Sequence, residues 1–219
     1  MYGMTNEQLV KQLIRLLNEK NAIPSDSIKN AIPVGISNRH IHLSQQDLES
    51  LFGEGYELTP IKELKQPGQY AAKETVLIAG PKGTFEKVRV LGPVRPVSQI
   101  EISKSDSFTL GIKPPVRESG DLTNAATLTV IGPFGSVIME KKVIIAKRHI
   151  HMTPIEAEQL NVIDRQLVSI RVEGERGGTL DEVVIRVSDQ FRLECHLDMD
   201  EANALGISNN QMITIMPKK

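Results

Sequence analysis

Five histidines in 219 residues is an ordinary number, but their placement is not. His40 and His42 flank Ile41, His149 and His151 flank Ile150, and His196 stands apart. Successive side chains of an extended strand alternate faces. Each His-Ile-His triplet therefore puts two imidazoles on one face, with Cα atoms about 6.6 Å apart, and turns the isoleucine toward a core. Two neutral imidazoles so placed can close on one metal ion. Random placement of five histidines gives about 0.1 such triplets in a chain of this length, so two in matching contexts are a built feature. Zinc in catalytic sites keeps three protein ligands and one open position. His196, before the helix-capping run Leu197-Asp198-Met199-Asp200-Glu201, can supply a third ligand to one pair, and the other pair then needs a carboxylate. Glu101 alternates against Ile100 and Ile102, which offers an acid on an exposed strand face. Cys195 cannot share a strand face with its neighbour His196 and reads as a buried small residue rather than a ligand. Arginines suggest an anionic substrate. Arg95 follows the turn Leu91-Gly92-Pro93-Val94, and Arg117 lies in the rigid loop from Pro114 to Asp121. Guanidinium groups suit two-pronged contact with phosphate.

These residues need elements to hold them, and the strongest organising feature is an internal repeat. The segment from Ile36 to Asp47, Ile-Ser-Asn-Arg-His-Ile-His-Leu-Ser-Gln-Gln-Asp, recurs from Ile145 to Glu156 as Ile-Ala-Lys-Arg-His-Ile-His-Met-Thr-Pro-Ile-Glu. Each copy reads as the end of a strand and the start of a helix. In the second, Thr153 is the N-cap, Pro154 the first helical residue and Glu156 the third, a complete capping box; Ser44 and Asp47 take those places in the first with a shorter acid. A repeat on this scale implies two similar β domains, which need not be sequential halves of the chain. Strands are predicted at residues 75–79, 85–91, 99–102, 126–131, 136–138, 142–146, 167–172, 182–187, 192–197 and 212–216, separated by Gly-Pro turns. Short helices are predicted after Leu43, after Met152 and at 200–205. Many short strands with few helices favour barrels or sandwiches over a βαβ sheet. Ahead of this region, Leu9, Val10, Leu13, Ile14, Leu16 and Leu17 mark an amphipathic helix over residues 5–20 with Thr5 as N-cap. The stretch from Asn21 to Ala31 reads as a linker. Such a helix either docks onto a partner or packs on its own domain.

Composition excludes several classes. The net charge is −1 and the charged fraction 24%, so no basic surplus marks a nucleic-acid protein. Aromatics are 4% with no tryptophan, which leaves few stacking platforms for single strands. One cysteine excludes an intramolecular disulfide and any Cys-x-x-Cys metal ribbon. The chain reads as a soluble, cytoplasmic protein with no membrane or nucleic-acid partner.

From Val34 to the C-terminus the chain resembles the phosphate propanoyltransferases of the PduL type, phosphotransacylases that exchange an acyl group between coenzyme A and inorganic phosphate. The likeness is carried by Asn38-Arg39-His40-Ile41-His42, Gly92-Pro93-Val94-Arg95 with Gln99-Ile100-Glu101-Ile102-Ser103, and the run from Pro115 to Asp121. It continues in Arg148-His149-Ile150-His151-Met152 and in the run from His196 to Asn203. The resemblance implies a mainly β fold of two small β-barrel domains related by the repeat and capped by short α-helices. Residues 23–38 plus 147–219 would form the first barrel and residues 39–146 the second, behind an N-terminal amphipathic helix at 1–22. It further implies two zinc ions, one on His40, His42 and Glu101 and the other on His149, His151 and His196. On this reading the coenzyme A sulfur goes to the first metal and a phosphate oxygen to the second. Arg95 acts as the catalytic residue that orients phosphate, Ser119 and Gly120 complete the phosphate loop, and no covalent intermediate is required. Ser37, Lys62, Arg89, Leu91 and Asn203 are the implied coenzyme A contacts. Phe108 would reach a neighbouring subunit's site in a homodimer. The expected acyl group is propanoyl, within propanediol degradation.

Two other readings compete. A binuclear zinc hydrolase usually adds a bridging carboxylate and aspartates among its ligands. A paired-barrel binding protein with structural zinc would need four protein ligands per ion, and the chain has too few histidines and cysteines to close two such sites without further acids. The resemblance also makes residues 1–22 an encapsulation peptide that binds shell proteins of a bacterial microcompartment. Deleting residues 1–22 should leave soluble activity intact and abolish co-purification with shells; loss of folding instead would contradict that role.

Overall fold

The computed structural model describes residues 30–216. The helix expected over residues 5–20 and most of the linker lie outside the described residues. The elements in order are β1 (Ala31–Ser37), β2 (His40–His42), α1 (Gln45–Phe52), β3 (Pro60–Glu63), β4 (Tyr70–Ala79), β5 (Thr84–Gly92), β6 (Gln99–Glu101), α2 (Lys104–Leu110) and β7 (Val116–Arg117). They continue with β8 (Ala126–Ile131), β9 (Ser136–Ala146), β10 (His149–Met152), α3 (Pro154–Gln159), β11 (Leu167–Val172), β12 (Gly178–Val187), β13 (Glu194–Asp198), α4 (Met199–Leu205) and β14 (Met212–Ile215). Among the described residues no helix is long and apolar enough to cross a membrane.

The strands close into two six-stranded barrels. One runs β1-β13-β10-β12-β11-β14. The other runs β4-β5-β2-β6-β9-β8 and returns to β4, with β3 added on β4 and β7 on β9. Alternation drives closure: in β4, Ala72, Glu74, Val76 and Ile78 are buried while their neighbours are exposed or half-buried, and a closed sheet leaves no edge to protect. Ile32, Val34, Ile150, Val183, Ile185, Cys195 and Leu197 fill the first barrel. Ile41, Val76, Ile78, Val90, Ile100, Val130 and Val143 fill the second.

The described residues enter the first barrel with β1, cross at Asn38-Arg39 to build the second, and return at Lys147-Arg148. Both crossings fall immediately before a His-Ile-His strand. Side chains and backbone tie the barrels together: Gln66 bonds to both the N–H and the C=O of Arg192 at 3.1 and 3.0 Å, the Ser105 N–H donates to Asp200 at 2.7 Å, and Arg165 pairs with Glu118.

Several elements differ from expectation. Residues 136–138 and 142–146 form one strand, β9. The polar run Glu140-Lys141-Lys142 is accommodated where Lys141 takes a positive φ of 52° and its N–H donates to Thr127 Oγ1 at 3.1 Å. Helix α2 was not expected. It has a full capping box between Ser103 and Asp106 and ends on Gly111 in the left-handed region, but only Leu110 supplies a large buried apolar side chain, so its periodicity is faint. The short strands β3 and β7 were also missed. The Thr153, Pro154 and Glu156 cap forms as expected. In α1 the Ser44 hydroxyl caps the Asp47 N–H. Asp47 does not close the box: the Ser44 N–H donates to Ser98 at 2.7 Å, and the Asp47 carboxylate accepts from the Ser44 and Ser98 hydroxyls instead.

Ile150 has no solvent exposure and sits between the two histidines of β10. Ile150→Ala should lower unfolding free energy by about 2–5 kcal/mol in urea titration, and a loss well below that range would show that the core does not depend on this side chain.

Candidate active site

Each pair of histidines meets its third partner across an antiparallel ladder. His40 lies opposite Glu101 and His42 opposite Gln99, with Ile41 opposite Ile100. Likewise His149 lies opposite His196 and His151 opposite Glu194, with Ile150 opposite Cys195. In each triad one ligand-capable atom per residue comes within 4.8 Å of the others. The backbone orients the first imidazole of both pairs alike. His40 Nδ1 is 2.8 Å from the carbonyl of Asn38, and His149 Nδ1 is 2.8 Å from that of Lys147. A ring nitrogen that donates to a carbonyl leaves Nε2 as the lone-pair donor. Helices stop all four strands at once, each through a capping side chain: Ser44 after β2, Ser103 after β6, Thr153 after β10 and Asp198 after β13. A capped helix start fixes where each short strand ends.

The donor set fits a metal. Among the described residues, His42 Nδ1, both ring nitrogens of His151 and His196 Nε2 are buried without a hydrogen-bond partner. Groups left so cost free energy unless something satisfies them, and a divalent ion does that for neutral imidazoles. Burial, followed by the neighbouring charges of His40 and Arg95, holds the His42 pKa down at about 3. Burial, then His149 and Arg186, does the same for His151, also at about 3. His149 and His196 are lowered first by burial as well. Burial alone would raise the Glu101 carboxyl, but His40, His42, the Ser119 hydroxyl and Arg95 outweigh it and bring the pKa to about 2. At neutral pH His42, His149, His151 and His196 thus present free imidazole lone pairs, and Glu101 a carboxylate. Cys195 is fully buried, and burial pushes its thiol pKa up, which removes it as a ligand or nucleophile.

Both triads face one cleft of about 800 Å³. Arg95 and Ser119 line it beside the first triad: Arg95 Nη1 donates to Ser119 Oγ at 3.3 Å, and Ser119 Oγ donates to Glu101 Oε1 at 2.9 Å. Gly120 also lines the cleft, with its N–H engaged by Gln99 Oε1 at 2.8 Å. Ser37, Lys62, Arg89 and Leu91 extend the lining, and Arg89 anchors itself on the carbonyls of Ala72 and Lys73 at 2.9 and 2.8 Å. Asn203 is exposed on α4 and is not among the cleft residues. Phe108 is 69% exposed on α2. Arg117 is not brought to the cleft; it donates to the carbonyls of Thr123 and Val116 and pairs with Asp121. Arg186, Phe191 and Glu194 do line the cleft and were not singled out in the sequence. Arg186 stands opposite His151 in the parallel pairing of β10 with β12, a register no local pattern reveals. Phe191 stacks on His151 with ring centroids 4.0 Å apart.

The paired barrels thus share one cleft lined by two metal-competent triads and by Arg39, Arg89, Arg95 and Arg186. The profile of the phosphate propanoyltransferase family matches residues 33–208. The phosphate propanoyltransferase of Thermotoga maritima is 59% identical over 186 residues, which cover 84% of this chain and 89% of that protein. That of Rhodobacter capsulatus is 49% identical over 97% of this chain and 99% of its own length, and that of Salmonella typhimurium 47% identical over 94% and 95%. The chain belongs to the phosphate propanoyltransferase family and is an acyltransferase.

Metal-free protein should show a definite acid sensitivity. Unfolded histidines titrate near 6.5 while folded His42 and His151 titrate near 3, so the unfolded chain binds more protons between those values. The stability that rests on these neutral rings is complete above pH 6.5 and is lost as pH falls toward 3; Glu101 adds its own loss only below 4.5. Calorimetry of chelator-treated protein should show the melting temperature falling by roughly 5 °C or more as pH drops from about 6.5 to about 5. A flat profile over that interval would contradict neutral burial of the triads.

Proposed function

We propose that the chain transfers an acyl group, propanoyl by preference, between coenzyme A and inorganic phosphate, with a zinc-like divalent ion held by His40, His42 and Glu101 and another by His149, His151 and His196. The observation that carries this reading is that one triad from each barrel, with Arg95 and Arg186, lines the same cleft. Bound zinc would supply electrostatic stabilisation for a thiolate leaving group and for a phosphoryl oxygen.

The protein's own groups account for the rest. Arg95 is half-buried, and burial lowers its pKa only from a very high starting value, so it stays cationic and clamps an oxyanion. Ser119 sits between Arg95 and Glu101, where its hydroxyl can orient a substrate oxygen, and Gly120 closes that loop. Arg186 adds a second cation from the other barrel. Ser37, Lys62, Arg89 and Leu91 suit the nucleotide end of coenzyme A, with Asn203 as a further contact. Attack by phosphate on the thioester carbonyl forms the acyl phosphate and releases the thiolate, so no protein nucleophile is needed. Glu101 belongs to a single triad, and among the described residues no carboxylate is shared by both, which disfavours the hydrolase reading.

The same reading takes residues 23–38 plus 147–219 and residues 39–146 as two domains and the chain as a homodimer that uses the exposed Phe108. It assigns residues 1–22 to shell attachment in a bacterial microcompartment.

The test is phosphate-dependent release of free thiol from propanoyl-CoA, run beside acetyl- and butanoyl-CoA on metal-quantified protein. Arg95→Ala should reduce the rate by at least ~100-fold while two metal ions per chain are retained. Release that does not require phosphate, or a fully active Arg95→Ala, would overturn the assignment.

A further inference from the structure

The two triads occupy equivalent register positions, yet their acids are exchanged. On β6, Gln99 faces His42 and Glu101 faces His40. On β13, Glu194 faces His151 and His196 faces His149. One triad thus carries its carboxylate among the three ligand candidates with an amide two residues before it. The other carries an imidazole in the ligand position and the acid two residues before. We propose that Glu194 is the charge-balancing carboxylate of the second metal site, a positioning residue beside His196 rather than one of the three ligands. This rests on the reading of the triads as metal sites.

Glu194 is 7% exposed, and its Oε2 lies 3.3 Å from His196 Nε2. Three independent arrangements keep it there. Lys65 Nζ is 3.7 Å from Oε1, at the outer limit of an ion pair. Gln66, itself 5% exposed, is pinned by both backbone groups of Arg192, so the Nε2 that it turns toward Glu194 Oε2 at 3.4 Å is fixed by the segment that leads into β13. Gly35 on β1 lies opposite His196, and a Cβ there would come within 2.7 Å of Glu194 Cδ and Oε1. Glycine at this position makes room for a carboxylate rather than for an unusual turn.

Among the described residues this buried carboxylate has one distant ammonium, which compensates it poorly, and a nearby dication would repair the deficit. The charge count agrees. Three neutral imidazoles leave a bound dication with its full charge. Glu194 reduces that to a single positive charge, the same residue of charge that Glu101 leaves at the first site. A carboxylate just outside the ligand shell raises metal affinity, here by offsetting the charge of the ion bound beside it.

The test titrates the metal-stripped full-length chain with Zn2+ in competition with a chromophoric chelator. Wild-type protein should bind two ions per chain. Glu194→Gln should weaken one of them by roughly 10–100-fold, leave the other unchanged, and affect the site that His151→Ala removes. Gly35→Ala should act in the same direction with the acid still in the chain, because its Cβ displaces the carboxylate. Unchanged affinities at both sites within about twofold, or equal weakening of both, would overturn the assignment. A wild-type chain that takes up fewer than two ions would overturn the metal reading itself, and this assignment with it.

Discussion

The chemistry of this protein depends on strand register. His40 faces Glu101, and His149 faces His196, because β2 with β6 and β10 with β13, all very short, pair antiparallel at one setting and no other. A slip by one residue would turn every imidazole into a barrel core and bring Ile41 and Ile150 out to the cleft. Strands of three to five residues have little hydrogen bonding of their own to resist such a slip. What resists it is the burial of Ile41, Ile100, Ile150 and Cys195 on the opposite face, with the capped helices that end each strand. The isoleucines are as necessary to the site as the histidines they separate.

A second constraint is the crossing of the chain between barrels. Because β1 leads into β2 and β9 leads into β10, each His-Ile-His strand is delivered to its own barrel directly from the other. This puts both triads at the seam, where a single cleft can hold them with Arg95 from one barrel and Arg186 from the other. The seam is pinned by a few specific contacts, among them Gln66 to Arg192, Ser105 to Asp200 and Arg165 to Glu118. Polar ties of this kind set the relative placement of two shells whose apolar cores stay separate.

What was legible in the sequence is what local spacing controls. The His-x-His pairs, the Thr153 capping box and the strands at 126–131 and 167–172 each follow from residues a few positions apart. The third ligand candidates were legible by type, but their allocation to a pair was not, since that is a matter of which strand lies beside which. Helix α2 was missed although it stands after β6 as α4 stands after β13; its Ser103 and Asp106 cap was present in the sequence, but its apolar face was too thin to draw attention. Arg186 and Glu194 look like ordinary outward residues of a strand until the cleft gives their side of the strand a purpose. Arg117 shows the opposite error: a promising loop cation is occupied by Thr123, Val116 and Asp121 and stays away from the site.

The account stands on two metal ions held at one cleft by triads from different barrels. Crystals of the full-length chain grown with zinc, measured on either side of the zinc absorption edge, test that directly. Two anomalous peaks are predicted, one among His40, His42 and Glu101 and one among His149, His151 and His196. A single peak, or peaks at other residues, would contradict it.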